Sequence, residues 1–402
     1  MLSPRLGLPQ SGQSPEPADC DWRARGGGRP AGSPFRPSRL AMLLVICAAL
    51  CSWGLGRWLG RTSPFGRHRR PPDRTLTLSG PVDSYAMALS PDGEIVAFGG
   101  YSVSLVQRRT GVVRVLQHDN WLSESLAFSP DGRFLAATSR RTSRRDATGL
   151  WDVKTGRLVR ILEGWGGVAF SSDGRLLATG TADGKVAVWN AATGSLLRQT
   201  PERDEAPVTA VTFIGDSHAV VSAAADEISV WGIWLAHRTC RFRCGDPVGV
   251  IAVSPGAGLL ATGCAEHDAN RRVRVWALGL AGRHCAELKW ARHGPTAGVR
   301  SLAFSPDGKR LACGGPTWRA FSMVGDSKPR WSGGEVQMWN VETGKLDWRW
   351  TSVSPNASTK GVVTGVAFLA GGAMLLASTQ DMGRPVRVWD LRQRDPGSHV
   401  RP

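Results

Sequence analysis

One pattern recurs seven times between residues 75 and 395, and it constrains the fold more than any other feature. Strong copies are "ALSPDGEIVAFGG" (88–100), "AFSPDGRFLAATS" (127–139), "AFSSDGRLLATGT" (169–181) and "AFSPDGKRLACGG" (303–315). Weaker copies begin at residues 212, 252 and 367. Each is followed by a second element of the form V-x-V-W, often closed by Thr-Gly, as in "VAVWNAATG" (186–194) and "VQMWNVETG" (336–344). In Ser-Pro-Asp-Gly, proline presets φ while Asp and Gly suit the later turn positions, so a short apolar strand ends there and another begins. A third strand carries V-x-V-W, and a fourth follows Thr-Gly. Four antiparallel strands cannot bury both faces alone. Stacked radially, each sheet covers its neighbour, which accounts for strands that are apolar on both sides.

Trp151, Trp189, Trp231, Trp276, Trp339 and Trp389 hold one equivalent position, and Val106 holds it in the first copy. Six tryptophans at one repeat position are core residues, not a base-stacking platform. The repeat length near 40 residues, the third-strand Trp and the Trp-Asp pairs at 151–152 and 389–390 resemble the WD-repeat β-propeller family. The expected fold is all-β: seven four-stranded antiparallel blades, spanning 75–395. The last copy ends after its third strand, and "RTLTLSG" (74–80) precedes the first copy like an orphan fourth strand. Thr75–Leu78 is therefore expected to complete the blade holding Val386–Trp389, removing a free edge. The family's Gly-His before the first strand, with His bonded to a turn Asp, is out of register at His118 and His293, and Gly164-Trp165 replaces it in another copy. That buried polar network is expected to be missing or partial.

Residues 1–39 are rich in Pro, Gly, Ser and Arg without hydrophobic periodicity, a composition that predicts disorder. Residues 40–56, "LAMLLVICAALCSWGLG", carry no charge, and Trp58-Leu59 follow Arg57. The segment 40–59 reads as a single membrane-spanning helix near the lower length limit. An export signal and a start at Met42 are the competing readings. A basic linker, 60–74, and a short tail, 396–402, complete the organisation. Five arginines on one side of the run and six on the other leave the orientation open.

The chain holds 50 Lys+Arg against 33 Asp+Glu, a net charge of +17. Such a balance attracts anionic surfaces. A compositional preference for Arg, which supplies 43 of the 50, produces the same excess without a partner. The basic stretches lack regular aromatic interleaving, which argues against nucleic acid. Eight cysteines at irregular spacing form no disulfide framework.

Catalytic signatures are missing. "GTADGKVAVWN" (180–190) mimics a phosphate loop, but three residues separate its glycines and Val follows the Lys. Cys240, Cys244 and His237 lack a second ligand pair for zinc. "CAEHDAN" (264–270) is the one dense polar cluster, and a solvated loop is its plainer reading. The expectation is no catalytic residue, no metal, no cofactor and no small-molecule substrate.

Insertions at 139–149, 264–272 and 314–334 fall between second and third strands, so all should emerge on one face, where the connection 351–361 also opens. They carry Arg140, Arg141, Arg144, Arg145, Arg271, Arg272, Arg319 and Arg330, with Trp318, Phe321 and Trp331. Arg and Trp are frequent interface anchors. In the family this face docks partners, and these residues suit an acidic protein. The leading expectation is a non-catalytic interaction scaffold tethered to a membrane. The alternatives are a metal- or ligand-binding propeller or an exported soluble one.

Overall fold

The computed structural model describes residues 72–392, except 77, 80–81, 83, 117–121, 140–146, 202–203, 216–218, 234–236, 257, 265–271, 280–285, 319–330, 354–360, 370 and 381–385. The tail 1–39, the apolar segment 40–59, most of the linker 60–74 and the tail 396–402 lie outside the described residues. Among the described residues no helix is long and apolar enough to cross a membrane.

The strands form seven four-stranded antiparallel sheets, six of them running in chain order from innermost to outermost, the seventh completed by the first described strand of the chain. Blade 1 comprises Ala86–Leu89, Ile95–Gly99, Val103–Gln107 and Val113–Leu116. The innermost strands of successive blades touch around the ring, and that of blade 7, Val363–Phe368, meets that of blade 1. The seam is closed as expected. Arg74–Leu76 pairs with Val386–Asp390 in the register Thr75↔Arg387 and Leu76↔Val386. The closing strand is shorter than the predicted Thr75–Leu78 and starts one residue earlier.

Local chemistry explains the repeated turns. In Ser90-Pro91-Asp92-Gly93, Ser90 Oγ donates to Asp92 Oδ1 at 2.5 Å and accepts from the Ile95 amide at 2.8 Å. Asp92 Oδ1 also accepts from the Glu94 amide, and Gly93 takes φ 72°. The same bonds recur at Ser129/Asp131, Ser171/Asp173 and Ser305/Asp307. These bonds to the charged form hold all four aspartates below the usual carboxylate range, the serine bond being the largest cause. The residue after the tryptophan works similarly. Asp152, Asn190 and Asn340 each accept from the Thr amide three residues on, which fixes the turn before the fourth strand.

All six repeat tryptophans are buried, as is Val106. Trp189, Trp231 and Trp276 donate their indole N–H to Thr179, Ser222 and Thr262 on the neighbouring strand at 2.9–3.1 Å. The core is a chain of inter-blade clusters, in which one blade's outermost strand packs on the next blade's third strand. Phe242 lies 4.9 Å from Trp276, Trp290 6.1 Å from Trp339, and Trp348 5.6 Å from Trp389 between ring centroids.

Candidate protein-docking face

The loops between second and third strands share one face of the ring with the connections that lead into each innermost strand. On that face blade 6 is the tallest. Its second and third strands, Arg310–Trp318 and Trp331–Asn340, stay paired as far as Trp318↔Trp331, and its outermost strand is Leu346–Val353. The equivalent hairpin strands of blade 3, Leu176–Gly180 and Val186–Asn190, have five residues each. The described ends of the insertion expected at 314–334, residues 314–318 and 331–334, are therefore a hairpin extension. Pairing of Gly315, Pro316 and Thr317 with Glu335, Gly334 and Gly333 continues the ladder beyond the blade's usual end.

This extension is held at its base. A Cβ on Gly333 would lie 1.8 Å from the Ser352 carbonyl oxygen, and one on Gly334 2.3 Å from that of Gly361. Only glycine allows backbone to approach so closely there. From the other side Ala297 donates its amide to the Pro316 carbonyl at 3.0 Å. Glu335 is buried beneath the hairpin, accepts from Gln337 Nε2 at 2.9 Å and lies 4.0 Å from Arg349. Burial pushes the Glu335 carboxyl above its ordinary value, opposed by the Gln337 bond and the Arg349 charge.

Blades 4 and 5 carry buried ion networks below the same face, which the sequence reading did not foresee. Asp204, on the connection into blade 4, is bonded by Ser229 at 2.9 Å, Arg238 at 3.1 Å and Ser222 at 3.2 Å. Arg238 also contacts Glu227 at 3.3 Å and stacks 4.4 Å above the Trp231 ring. Burial raises the Asp204 carboxyl, against the Ser229 bond and the Arg238 charge. In blade 5 the buried Asp246 pairs with Arg274, and both contact Cys264. These positions stand where the family places its Gly-His. The polar network is thus partial, as expected, but its chemistry differs: in two blades Asp–Arg pairs stand in for the histidine. The signal was present as Asp shortly before Pro-Val, in "DEAPV" and "DPV", but the arginine partners lie 34 and 28 residues away.

Of the residues singled out for docking, Arg272 begins the third strand of blade 5, opposite His293, and its amide donates to Cys264 Sγ at 3.1 Å. Trp318 and Trp331 end the blade 6 hairpin and face each other in register. Arg272, Trp318 and Trp331 are thus strand termini rather than loop residues. Arg140, Arg141, Arg144, Arg145, Arg271, Arg319, Phe321 and Arg330 lie outside the described residues.

The decoy "GTADGK" is a turn. Thr181 accepts the Gly184 amide at 3.2 Å and donates its own to Lys185 at 2.9 Å, and Gly184 takes φ 82°. Asp183 accepts from Thr181 Oγ1 at 2.5 Å and pairs with Lys185 at 3.7 Å. Cys240 is disulfide-bonded, contrary to the reading of scattered thiols. Cys240 of blade 4 packs against the same core cluster as Leu278 and Ala286 of blade 5, a grouping that irregular spacing does not reveal. Cys244, Cys264 and Cys313 are free and buried. Burial pushes the Cys244 and Cys313 thiols up to about 12, which makes them inert. Among the described residues no three His, Cys, Asp or Glu are placed to hold a metal ion. Glu266, His267 and Asp268 lie outside them.

A closed ring of seven four-stranded blades with a buried third-strand Trp in six defines a repeat β-propeller. WD40 repeats are found in it: the family model described as "WD domain, G-beta repeat" matches residues 111–144, 156–190 and 287–318. The chain is similar to "Periodic tryptophan protein 2" of Arabidopsis thaliana, 26% identical over 226 residues, which covers 56% of this chain and 21% of that protein. It is also similar to "Transducin beta-like protein 3" of Bos taurus, 26% identical over 217 residues, 52% of this chain and 22% of that protein. A "Periodic tryptophan protein 2 homolog" of Caenorhabditis elegans is 33% identical over 105 residues, 24% of this chain and 11% of that protein. The chain matches about a fifth of the length of the first two of these curated relatives.

Proposed function

We propose that the protein is a non-catalytic interaction scaffold that docks an acidic protein partner on the face of the blade 6 hairpin. The observation that carries this reading is the hairpin itself, raised above the ring and braced from both sides by backbone contacts at Gly333, Gly334 and Pro316. A rigid projection loses little entropy on binding, and so presents anchors such as Trp318 and Trp331 at low cost. The arginines of the blade 2 insertion, Arg140, Arg141, Arg144 and Arg145, three blades round the ring but between the second and third strands as the hairpin is, supply the charge that selects an acidic surface. Segment 40–59 is the proposed membrane tether, and membrane fractionation tests it separately. For the docking face, partners are captured on wild-type protein and on a variant with those four arginines changed to Glu. Loss of captured partners supports the reading. An unchanged set of partners refutes it.

A further inference from the structure

The opposite face, where the Ser-Pro-Asp-Gly turns and the third-to-fourth-strand turns emerge, carries a groove of about 450 Å³ between blades 1 and 2. Its floor is apolar: Leu105, Val112 and Val153, the first and last of them buried. Its rim is basic: Arg114, Arg133 and Lys154. The residue at the joint between the blades leaves the groove open. At three joints the outermost strand of one blade lays a side chain over the Thr-Gly turn of the next: Arg114 over Gly156, Arg160 over Gly194 and Trp290 over Gly344. In blade 5 that residue is Trp290, whose ring covers Gly344 and whose N–H donates to the Val341 carbonyl at 2.8 Å. In blade 1 it is Arg114, which lies over Gly156 and donates to the carbonyls of Lys154, at 2.9 Å, and Thr155. A slender guanidinium replaces an indole, so the apolar floor stays uncovered and Val112 is 50% exposed.

The charge on the rim is only partly compensated, by the Asp152 carboxylate. Among the described residues neither Arg114 nor Lys154 has an ion-pair partner. Arg133 pairs with Asp152 Oδ2 at 4.0 Å, while Asp152 Oδ1 accepts from the Thr155 amide and hydroxyl, so Arg133 is the balanced member of the rim. Backbone carbonyls fix the Arg114 guanidinium in place, so its charge is presented without further ordering. The outermost strand Val113–Leu116 has no strand beyond it, and from Arg114 onward its edge can take main-chain bonds from an extended segment.

We propose that this groove is a second docking site, for an extended peptide segment carrying an Asp or Glu beside an aliphatic side chain. The aliphatic group covers Leu105, Val112 and Val153, and the carboxylate meets Arg114 and Lys154. The site is independent of the hairpin face.

The test pans a phage-displayed random dodecapeptide library on the full chain, then measures the binding of the synthesised best peptide. Enriched peptides are expected to place Asp or Glu within two positions of Leu, Ile or Val. Lys154→Glu and Val112→Glu, both at exposed positions, should each weaken binding about tenfold or more. Arg140→Glu with Arg141→Glu should leave it unchanged, which separates this site from the hairpin face. The proposal is overturned if no such motif is enriched, or if the peptide binds both groove variants as it binds wild type. It is also overturned if the groove variants reduce only the binding of phosphatidylserine vesicles, which would make the groove a lipid site.

Discussion

Blades 1 to 3 and blades 4 to 6 solve the same joint with different chemistry. In the first half, the residues laid over the next blade's turn are Arg114 and Arg160. The outermost strands there leave Val115, Val159, Ile161, Leu196 and Leu197 exposed. In the second half the joints are aromatic, through Phe242, Trp290, Trp348 and Trp350, and buried Asp–Arg pairs sit beneath the hairpin face. The difference teaches that the repeat sets the backbone while the joint residue decides what remains available. An indole seals the groove, and a guanidinium leaves it open with a charge on its rim.

The buried pair in blade 5 gives the sharpest way to break this contrast. Asp246→Leu leaves Arg274 buried without its partner and should cost about 3–5 kcal/mol in denaturant unfolding. Adding Arg274→Met should recover most of that loss. A double variant no more stable than the single one would show that the pair is not the source. The aromatic joint comes next. Trp290→Ala removes a ring packed on Trp339 and should cost about 3 kcal/mol. Arg114→Ala, the same joint in the other half, loses exposed bonds to carbonyls and should cost only about 1 kcal/mol. Equal losses at the two joints would erase the proposed asymmetry.

The smallest effect is on pH. The turn aspartates Asp92, Asp131 and Asp173 have carboxyls held below 3.8, so their stabilisation is present above that value and fades as acid protonates them. Asp204 and Glu335 are raised, so the folded state holds their protons more tightly. Their contribution is fully present below the unfolded carboxylate values and declines as pH rises through the raised ones. Hydrogen exchange followed from pH 5 to 3 should therefore show falling protection at the Glu94, Arg133 and Arg175 amides. Protection around Ser222 should hold or rise. Parallel loss in both regions would contradict these signs.

Much of the fold was legible because the repeat repeats its own chemistry. Ser-Pro-Asp-Gly and Trp-Asp-x-x-Thr-Gly close bonds within five residues, so a local reading finds every turn. The blades, the tryptophan core and the closing strand follow from counting such units. The joints were not legible in the same way. Asp204 meets Arg238, and Glu335 meets Arg349, through pairing across strands. The strand pattern does not say which polar residues will face each other inside. In sequence, the segment 314–334 reads as an insertion between strands, whereas its described ends are paired strand carrying Gly314, Gly315, Gly333 and Gly334. The last three serve close approach of backbone.

The closing strand has a consequence in time. Arg74–Leu76 is made before any complete blade, yet its partner, Val386–Asp390, arrives about 310 residues later, and the two are joined at Arg387 and Thr75 across a separation of 312. At translation speeds of about 5–20 residues per second, that strand waits unpaired for roughly 15–60 seconds. Six blades can assemble in order during that delay, while the seventh is completed only by the oldest part of the ring. A chain stopped short of residue 386 would hold six formed blades and two unsatisfied sticky edges, the arrangement most prone to pairing with a second copy.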